Sequence, residues 1–131
     1  MPKTFFTVSR VLHKRANIVM HFVAGTLIWT VVIPIVVLHC WVWIYQAIYF
    51  SVYGIPKAKV KDFITFDRNQ LHGLGLGQKI ACAYCAYANG AVAWIKVVIN
   101  RTEAYSCAIK HRTPKQGQEH QAEFYEYAEF E

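Results

Sequence analysis

Residues 16–56 form a run of 41 residues without one Asp, Glu, Lys or Arg. A helix that crosses a hydrocarbon core of ~30 Å needs about 20 residues, so this run is about twice as long as one crossing requires. It is far too long for the apolar region of a cleaved signal peptide, and no A-x-A cleavage site follows it. The run is therefore expected to stay in the mature protein as a membrane segment.

Two arrangements of this run remain open. One is a single helix kinked at Pro34, with Trp and Tyr side chains at the membrane surfaces. The other is a hairpin of residues 16–33 and 35–53, or a re-entrant helix bent at the proline, which enters and leaves on the same side. Basic residues lie on both flanks, so the positive-inside rule favours the hairpin and predicts that the segments before Ala16 and after Glu119 share one side. Against the hairpin, the residues around Pro34 include no Gly, Asn or Asp for a tight turn.

Two histidines, His21 and His39, lie inside this uncharged run. Each can hydrogen-bond a neighbouring carbonyl or another helix, or it can ligate a cofactor such as haem. The sequence shows no second ligand for a haem, so hydrogen bonding to a neighbour is the expected role.

The charged residues are unevenly placed along the chain. There are 14 Lys and Arg against 8 Asp and Glu, and the last thirteen residues contain five of the acids. A basic body of this kind can bind nucleic acid or an anionic membrane surface. Because basic residues directly flank the apolar run, we expect contact with lipid head groups and no nucleic-acid partner.

Residues 78–110 are expected to form one long helix, since they contain alanines, no proline and only Gly90 as an interior weak point. Steps of three and four along this helix place seven residues on one face. We call this set the polar stripe: Cys82, Cys85, Asn89, Val92, Lys96, Ile99 and Glu103. The opposite side contains Tyr84, Tyr87, Ala91, Trp94 and Val98. For Asn89 and Lys96 the stripe allows either contacts between helices or a direct catalytic role.

Three cysteines and a histidine form the pattern C-x2-C-x21-C-x3-H. They are Cys82, Cys85, Cys107 and His111. Thiolate and imidazole are the ligands of Zn²⁺ and of iron centres, so the four residues are predicted to bind zinc or iron, an iron–sulfur cluster being the less favoured form. An unbroken helix would hold the two pairs ~35 Å apart. The metal site therefore requires a helix break near residues 100–102 or the pairing of two subunits.

Two other roles for the cysteines remain open, namely ordinary buried residues and a disulfide or thiol-redox pair. Around a metal, the supporting residues would be Asn89, Arg101, Glu103 and His120, with Asp67 and Arg68 as an ion-pairing corner. An enzyme that acts on a lipid or quinone-like substrate is the alternative. In that case Glu103, Lys96, His111 and Asp67 would supply the acid, base and charge-stabilising groups.

Residues 113–131 follow a break at Pro114 and Gly117 and are predicted to form a short acidic helix. His120 lies on its aromatic face, which is expected to pack against the preceding helix. A role for His120 as a further metal ligand or a proton-transfer group is the alternative.

Several short motifs are familiar in combination. They are Tyr53-Gly54-Ile55-Pro56, Phe66-Asp67-Arg68, Cys82-Ala83-Tyr84-Cys85, Tyr87-Ala88-Asn89-Gly90, Arg101-Thr102-Glu103 and Cys107-Ala108-Ile109-Lys110-His111. Over residues 41–112 the chain resembles a family of small bacterial membrane proteins for which no activity is established. Many members of that family have a proline after the third cysteine, where this chain has Ala108. The resemblance implies a bacterial inner membrane and groups these polar residues as one site.

The sequence as a whole predicts an all-α, membrane-embedded protein with four segments. These are a basic segment at 1–15, a membrane segment at 16–56, a polar helical segment at 57–112 and an acidic helix at 113–131. We expect a metal-binding accessory protein, or a subunit of a larger or homo-oligomeric membrane assembly, with its polar segment on the cytoplasmic side. A subunit whose polar stripe serves only for helix packing is a further alternative.

Overall fold

The computed structural model describes residues 18–67, 70, 72–73 and 75–131. The predicted basic segment at residues 1–15 lies outside the described residues. Within them the chain is mainly helical and contains no strand longer than an isolated β-bridge. This agrees with the predicted all-α class.

The uncharged run forms one long helical stretch, which we call the N-terminal helical run (residues 18–53). It consists of α1 (Ile18–Thr30), α2 (Val32–Tyr45), a π-helical turn (Gln46–Phe50) and α3 (Ser51–Tyr53). Val31 between α1 and α2 keeps helical angles, with φ −65° and ψ −24°, and the Ile35 N–H donates to its carbonyl. Pro34 has no N–H to donate, but the chain continues through it without reversing, and residues 22–53 form one continuous helix.

This arrangement settles the two alternatives for the run. The hairpin prediction is wrong, because no residue between α1 and α2 leaves the helical region of backbone space. Ile18 and Tyr53 consequently lie at opposite ends of one helical run. The expectation that the two flanking segments share one side of a membrane depended on the hairpin and stays a prediction that labelling in membranes tests.

The helical run ends in a Schellman motif. Gly54 takes the left-handed conformation with φ 67°, and the Ile55 N–H donates to the Phe50 carbonyl at 2.9 Å. Phe50 and Ile55, the two residues that this motif brings together, are both buried in the core. Glycine suits this position because a Cβ would disfavour the positive φ.

The second long helix, α4 (Leu76–Ser106), runs parallel to the first. Near its start the Tyr84 hydroxyl donates to the Ile28 carbonyl at 2.7 Å, and near its end the Thr102 hydroxyl bonds that of Tyr45 at 2.6 Å. Residue numbers therefore rise together along both helices. The helix was predicted over residues 78–110; it begins two residues earlier and ends four residues earlier.

Because the two helices are parallel, the linker between them (residues 54–75) must return along their length. It passes Gln46 and Trp94 at Ala58, forms a 3₁₀ turn at Val60–Asp62 and reaches Gly90 at Ile64. An added Cβ on Gly90 would lie 2.5 Å from the Phe63 carbonyl oxygen. The helix-weakening glycine is thus the point where the linker backbone touches α4.

One apolar core joins these three parts of the chain. Its buried members are Val42, Phe50, Ile55, Ala58, Trp94, Ile95 and Val98. The tightly packed side of α4 is the one that the sequence placed opposite the polar stripe, since Ala91, Trp94 and Val98 have no exposed surface. Along the N-terminal helical run most large apolar side chains remain exposed, among them Phe22 and Trp41.

The C-terminal segment (residues 107–131) is not the predicted acidic α-helix. It forms two 3₁₀ turns, Glu119–Gln121 and Tyr127–Phe130, and a β-bridge between Ile109 and Tyr125. The bridge is made by the Lys110 N–H on the Tyr125 carbonyl and by the Tyr125 N–H on the Ala108 carbonyl, each at 2.9 Å. The helix prediction was wrong because Tyr125 bonds across to residues 108–110 and not to the preceding helical turn.

Two helices in the described part of the chain are long and apolar enough to cross a membrane. They are Phe22–Tyr53, with a mean hydropathy of 2.3, and Lys79–Ser106, with 1.4. Most of the first helix is exposed in the isolated chain, as expected of a surface that lipid or another protein would cover.

Candidate functional site

The polar stripe lies on the face of α4 that is turned away from the core. Cys85, Asn89, Val92, Lys96 and Ile99 are exposed, while Cys82 and Glu103 are partly covered. The Lys96 ammonium donates to the side-chain oxygen Oδ1 of Asn100 at 3.5 Å, one turn further along the helix. The predicted grouping of these residues on one face is confirmed.

The four predicted metal ligands do not meet within one chain. All four cysteines are free thiols. Helix α4 continues unbroken through residues 100–102, so Cys107 and His111 stay at its far end, ~35 Å from Cys82 and Cys85. Among the described residues, no three His, Cys, Asp or Glu side chains are close enough to hold a metal ion.

Glu103 anchors the C-terminal segment to the end of α4. One carboxylate oxygen lies 2.7 Å from His120 Nε2, and the other accepts a hydrogen bond from Gln121 Nε2 at 2.8 Å. Gln121 is buried, and its side-chain oxygen accepts the His111 N–H at 3.4 Å. His120 Nδ1 is buried without a hydrogen-bond partner among the described residues. His120, whose aromatic face was expected to pack against the preceding helix, thus contacts Glu103 near the end of α4 directly.

The remaining candidate residues are separate from this cluster. Arg101 donates to the Pro56 carbonyl at 2.7 Å and so ties α4 to the start of the linker. Asp67 is exposed on the linker, and its proposed ion-pairing partner Arg68 lies outside the described residues. Lys96 and Glu103 are two turns apart on α4. Of the four residues named for an enzyme, which are Glu103, Lys96, His111 and Asp67, the described hydrogen bonds connect only His111 to Glu103, through Gln121.

Charged contacts also hold the C-terminal segment in place. Lys110 pairs with Glu126 at 2.5 Å, and Arg112 pairs with Glu131 and lies over the Tyr127 ring at 4.9 Å. The backbone N–H groups of Glu119 itself and of Gly117 lower the pKa of the exposed Glu119 carboxyl, with smaller contributions from Lys96 and His120. Glu126 and Glu131 are thus held by basic side chains, and Glu119 by backbone N–H groups, near the end of α4.

Sequence reasoning missed one buried polar residue. Gln46 donates from Nε2 to the Ala58 carbonyl at 3.0 Å and accepts the Ala58 N–H at 2.8 Å. Trp94 Nε1 donates to the same carbonyl at 2.9 Å. The available signal was an amide side chain deep inside a 41-residue run without charges, whose other amide, Asn17, lies at its start.

His39 has the expected hydrogen-bonding role. Its Nδ1 lies 2.8 Å from the Tyr87 hydroxyl, and its ring contacts Trp94 edge-on. The contact joins the N-terminal helical run to α4, as one of the two interpretations of this histidine predicted. The side chain of His21 is outside the described part of the structure.

No protein-family model matches the chain, and searches of curated proteins and of solved structures find no match either. What the polar stripe does must therefore follow from its position, spacing and chemistry.

Proposed function

We propose that this chain is a membrane-embedded subunit that pairs with a second copy of itself through the polar stripe of α4. The observation that supports the proposal most directly is the exposure of Asn89. It lies in the middle of a helix apolar enough to cross a membrane, and its side chain has no hydrogen-bond partner among the described residues. In hydrocarbon such an amide gains from a partner on another helix.

The spacing of the stripe fits a helix pair. Cys82, Asn89, Lys96 and Glu103 recur every seven residues, with Cys85, Val92 and Ile99 at the intermediate positions. This is the a and d pattern of two helices that wrap around each other. Most of its members are small or apolar, and a single Asn at an a position is a known determinant of register and of the number of helices.

The pairing suits identical copies in particular. Copies inserted by the same route have the same orientation, so their α4 helices are parallel and related by a two-fold axis. Each exposed stripe residue then lies opposite its own counterpart, whereas Glu103 is held by His120 and Gln121 of its own chain. Asn89 can donate to and accept from a second Asn89. Lys96 avoids its counterpart because its ammonium extends along the helix to Asn100.

The charged linker determines which side of the assembly can face lipid. Lys57, Lys59 and Lys61 are exposed on the linker, which has no α-helix among its described residues and runs beside both long helices. Lipid-exposed backbone without helical bonding is not stable in hydrocarbon, where only protein-covered or water-lined segments of this kind are found. The linker side therefore faces protein or water in the assembly, and lipid meets the apolar side of the N-terminal helical run.

The other expected functions have less support from the geometry. A lipid- or quinone-directed enzyme would need Lys96, Glu103 and Asp67 at one place, whereas Glu103 is engaged with His120 and Gln121. A metal site built within one chain would need a break in α4, and α4 is continuous.

Disulfide trapping in membranes tests the pairing. Two single-cysteine proteins are compared, one that keeps only Cys85 and one that keeps only Cys40, with the other three cysteines changed to serine. Both thiols are exposed in the isolated chain. Mild oxidation is expected to give a dimer through Cys85, near the two-fold axis, and little dimer through Cys40.

A second variant links the trapped dimer to Asn89. Asn89→Ala in the Cys85-only protein is expected to lower the association constant about 5- to 30-fold, as for a lost interhelical hydrogen bond. Thr26→Ala, an exposed change on α1, is the matched control and should leave dimerisation unaltered. Equal trapping through Cys85 and Cys40, or no trapping at either, would contradict the proposed interface.

A further inference from the structure

We infer that two copies of this chain form a metal site from four cysteines, Cys82 and Cys85 of each subunit. The inference rests on the proposed pairing through the polar stripe. It differs from the site predicted by the sequence, which combined Cys82 and Cys85 with Cys107 and His111, either within one chain or between two paired subunits.

The positions of the two cysteines support this site. They are three residues apart on α4, so their side chains lie on one face with Cβ atoms ~5–6 Å apart. In the proposed helix pair they occupy adjacent a and d positions, where side chains of the two helices meet. The two-fold axis then brings two C-x2-C pairs together. All four sulfur atoms would bind the metal from the stripe face of their own helix, where the cysteines already lie.

The donor set decides the class of metal. Four thiolates around one ion are the ligands of structural zinc and of mononuclear iron, with zinc–sulfur distances of about 2.3 Å. Each of the four thiols loses its proton on binding. A divalent ion with four thiolates carries a net negative charge. Positive charge lies on the side of the site toward the start of α4. Its sources are the N-terminal ends of the two α4 helices and Lys79, one turn before Cys82.

The other thiols are unsuited to this site. Cys40 lies on the N-terminal helical run, and Cys107 lies beyond the end of α4. His111 lines an open groove at the C-terminal segment with Lys115 and Gln118. The four-cysteine site of the dimer and the predicted site with Cys107 and His111 therefore make opposite predictions about which variants lose the metal. They also differ in the number of ions per chain.

The test is metal analysis of the full chain purified in detergent without chelators, with zinc and iron measured against protein concentration. We expect close to one ion per two chains. Cys82→Ser and Cys85→Ser should each lose most of it, whereas Cys40→Ser, Cys107→Ser and His111→Ala should retain it. Helix content by circular dichroism and the oligomeric state are recorded for every variant, because serine replaces a partly or fully exposed thiol at each position.

Each other outcome overturns a defined part of the inference. One ion per chain that is lost in Cys107→Ser and His111→Ala would establish the single-chain site. Metal that persists in the Cys82→Ser, Cys85→Ser double variant would be an adventitious ion only. A metal-free dimer with four free thiols in each chain would refute the metal site and leave the pairing intact. A metal-free monomer would refute both the metal site and the proposed function.

Discussion

Gln46 and Ala58 exchange two hydrogen bonds, the side-chain amide of the first with the backbone amide of the second. The contact mimics one rung of a β-ladder between a helix and the linker. It fixes the point at which the linker turns back along the two helices, and Trp94 of α4 shares the same Ala58 carbonyl. Three parts of the chain are thus joined at a buried polar contact within an apolar core.

Gln46→Ala is expected to destabilise the protein by ~2 kcal/mol, because the buried Ala58 N–H loses its partner. Thermal unfolding in detergent, followed by circular dichroism, measures the effect as a lower melting temperature. Ser51→Ala is the control, since the exposed Ser51 hydroxyl bonds only within its own helix. Equal melting temperatures for the two variants would show that the contact does not hold the linker.

Gly90→Ala tests the close approach of the linker to α4. Alanine favours a helix over glycine by about 1 kcal/mol, but its Cβ would lie 2.5 Å from the Phe63 carbonyl oxygen and 2.6 Å from an Ile64 side-chain carbon. Overpacking of this kind costs about 1–3 kcal/mol, so a net loss of stability is expected. Gly25→Ala in α1, where no atom lies within 4 Å, should stabilise the protein. Stabilisation by both changes would contradict the close approach.

How far the sequence predicts this structure depends on the range of the interactions. The absence of charge in residues 16–56 and the period of the polar stripe are local signals. Residues 18–53 of the uncharged run are helical, and the stripe residues share one face of α4. The parallel arrangement of the helices depends on long-range pairs such as Tyr84 with Ile28, which no local pattern contains. The C-terminal segment was misassigned for the same reason, since its amphipathic spacing was real but the bridge to Ile109 determined the backbone.

Glu103→Ala is expected to release the C-terminal segment from α4 while leaving the helices intact. His120 and Gln121 would lose their shared acceptor, and a buried unpaired donor costs about 1–3 kcal/mol. Limited proteolysis should then cut between residues 107 and 131 faster than in the parent protein. Glu123→Ala, at an exposed carboxylate of the same segment, should leave the cleavage rate unchanged. Protection of both variants would show that the ion pairs at Glu126 and Glu131 hold the segment alone.

The linker is expected to face water or protein, and not lipid, wherever the helices cross the membrane. In a cysteine-free background, Lys59→Cys should react with a membrane-impermeant maleimide. Ile48→Cys should not, because Ile48 lies on the exposed apolar side of the N-terminal helical run. Both side chains are exposed in the isolated chain, so only the surroundings in the membrane distinguish them. Labelling of Ile48→Cys alone would place the linker on the lipid side and contradict the proposed assembly.

The course of the two long helices also predicts the sidedness of the chain. The N-terminal helical run does not reverse, and α4 runs parallel to it, so the C-terminal segment lies at the Tyr53 end, away from Ile18. A single cysteine placed at Ser9 and one placed at Glu123 should therefore be labelled from opposite sides of intact vesicles. The hairpin predicted the same side for both. Labelling from a common side would mean that the run folds back at Pro34 in the membrane, and would contradict the parallel packing of α4 along the whole N-terminal helical run.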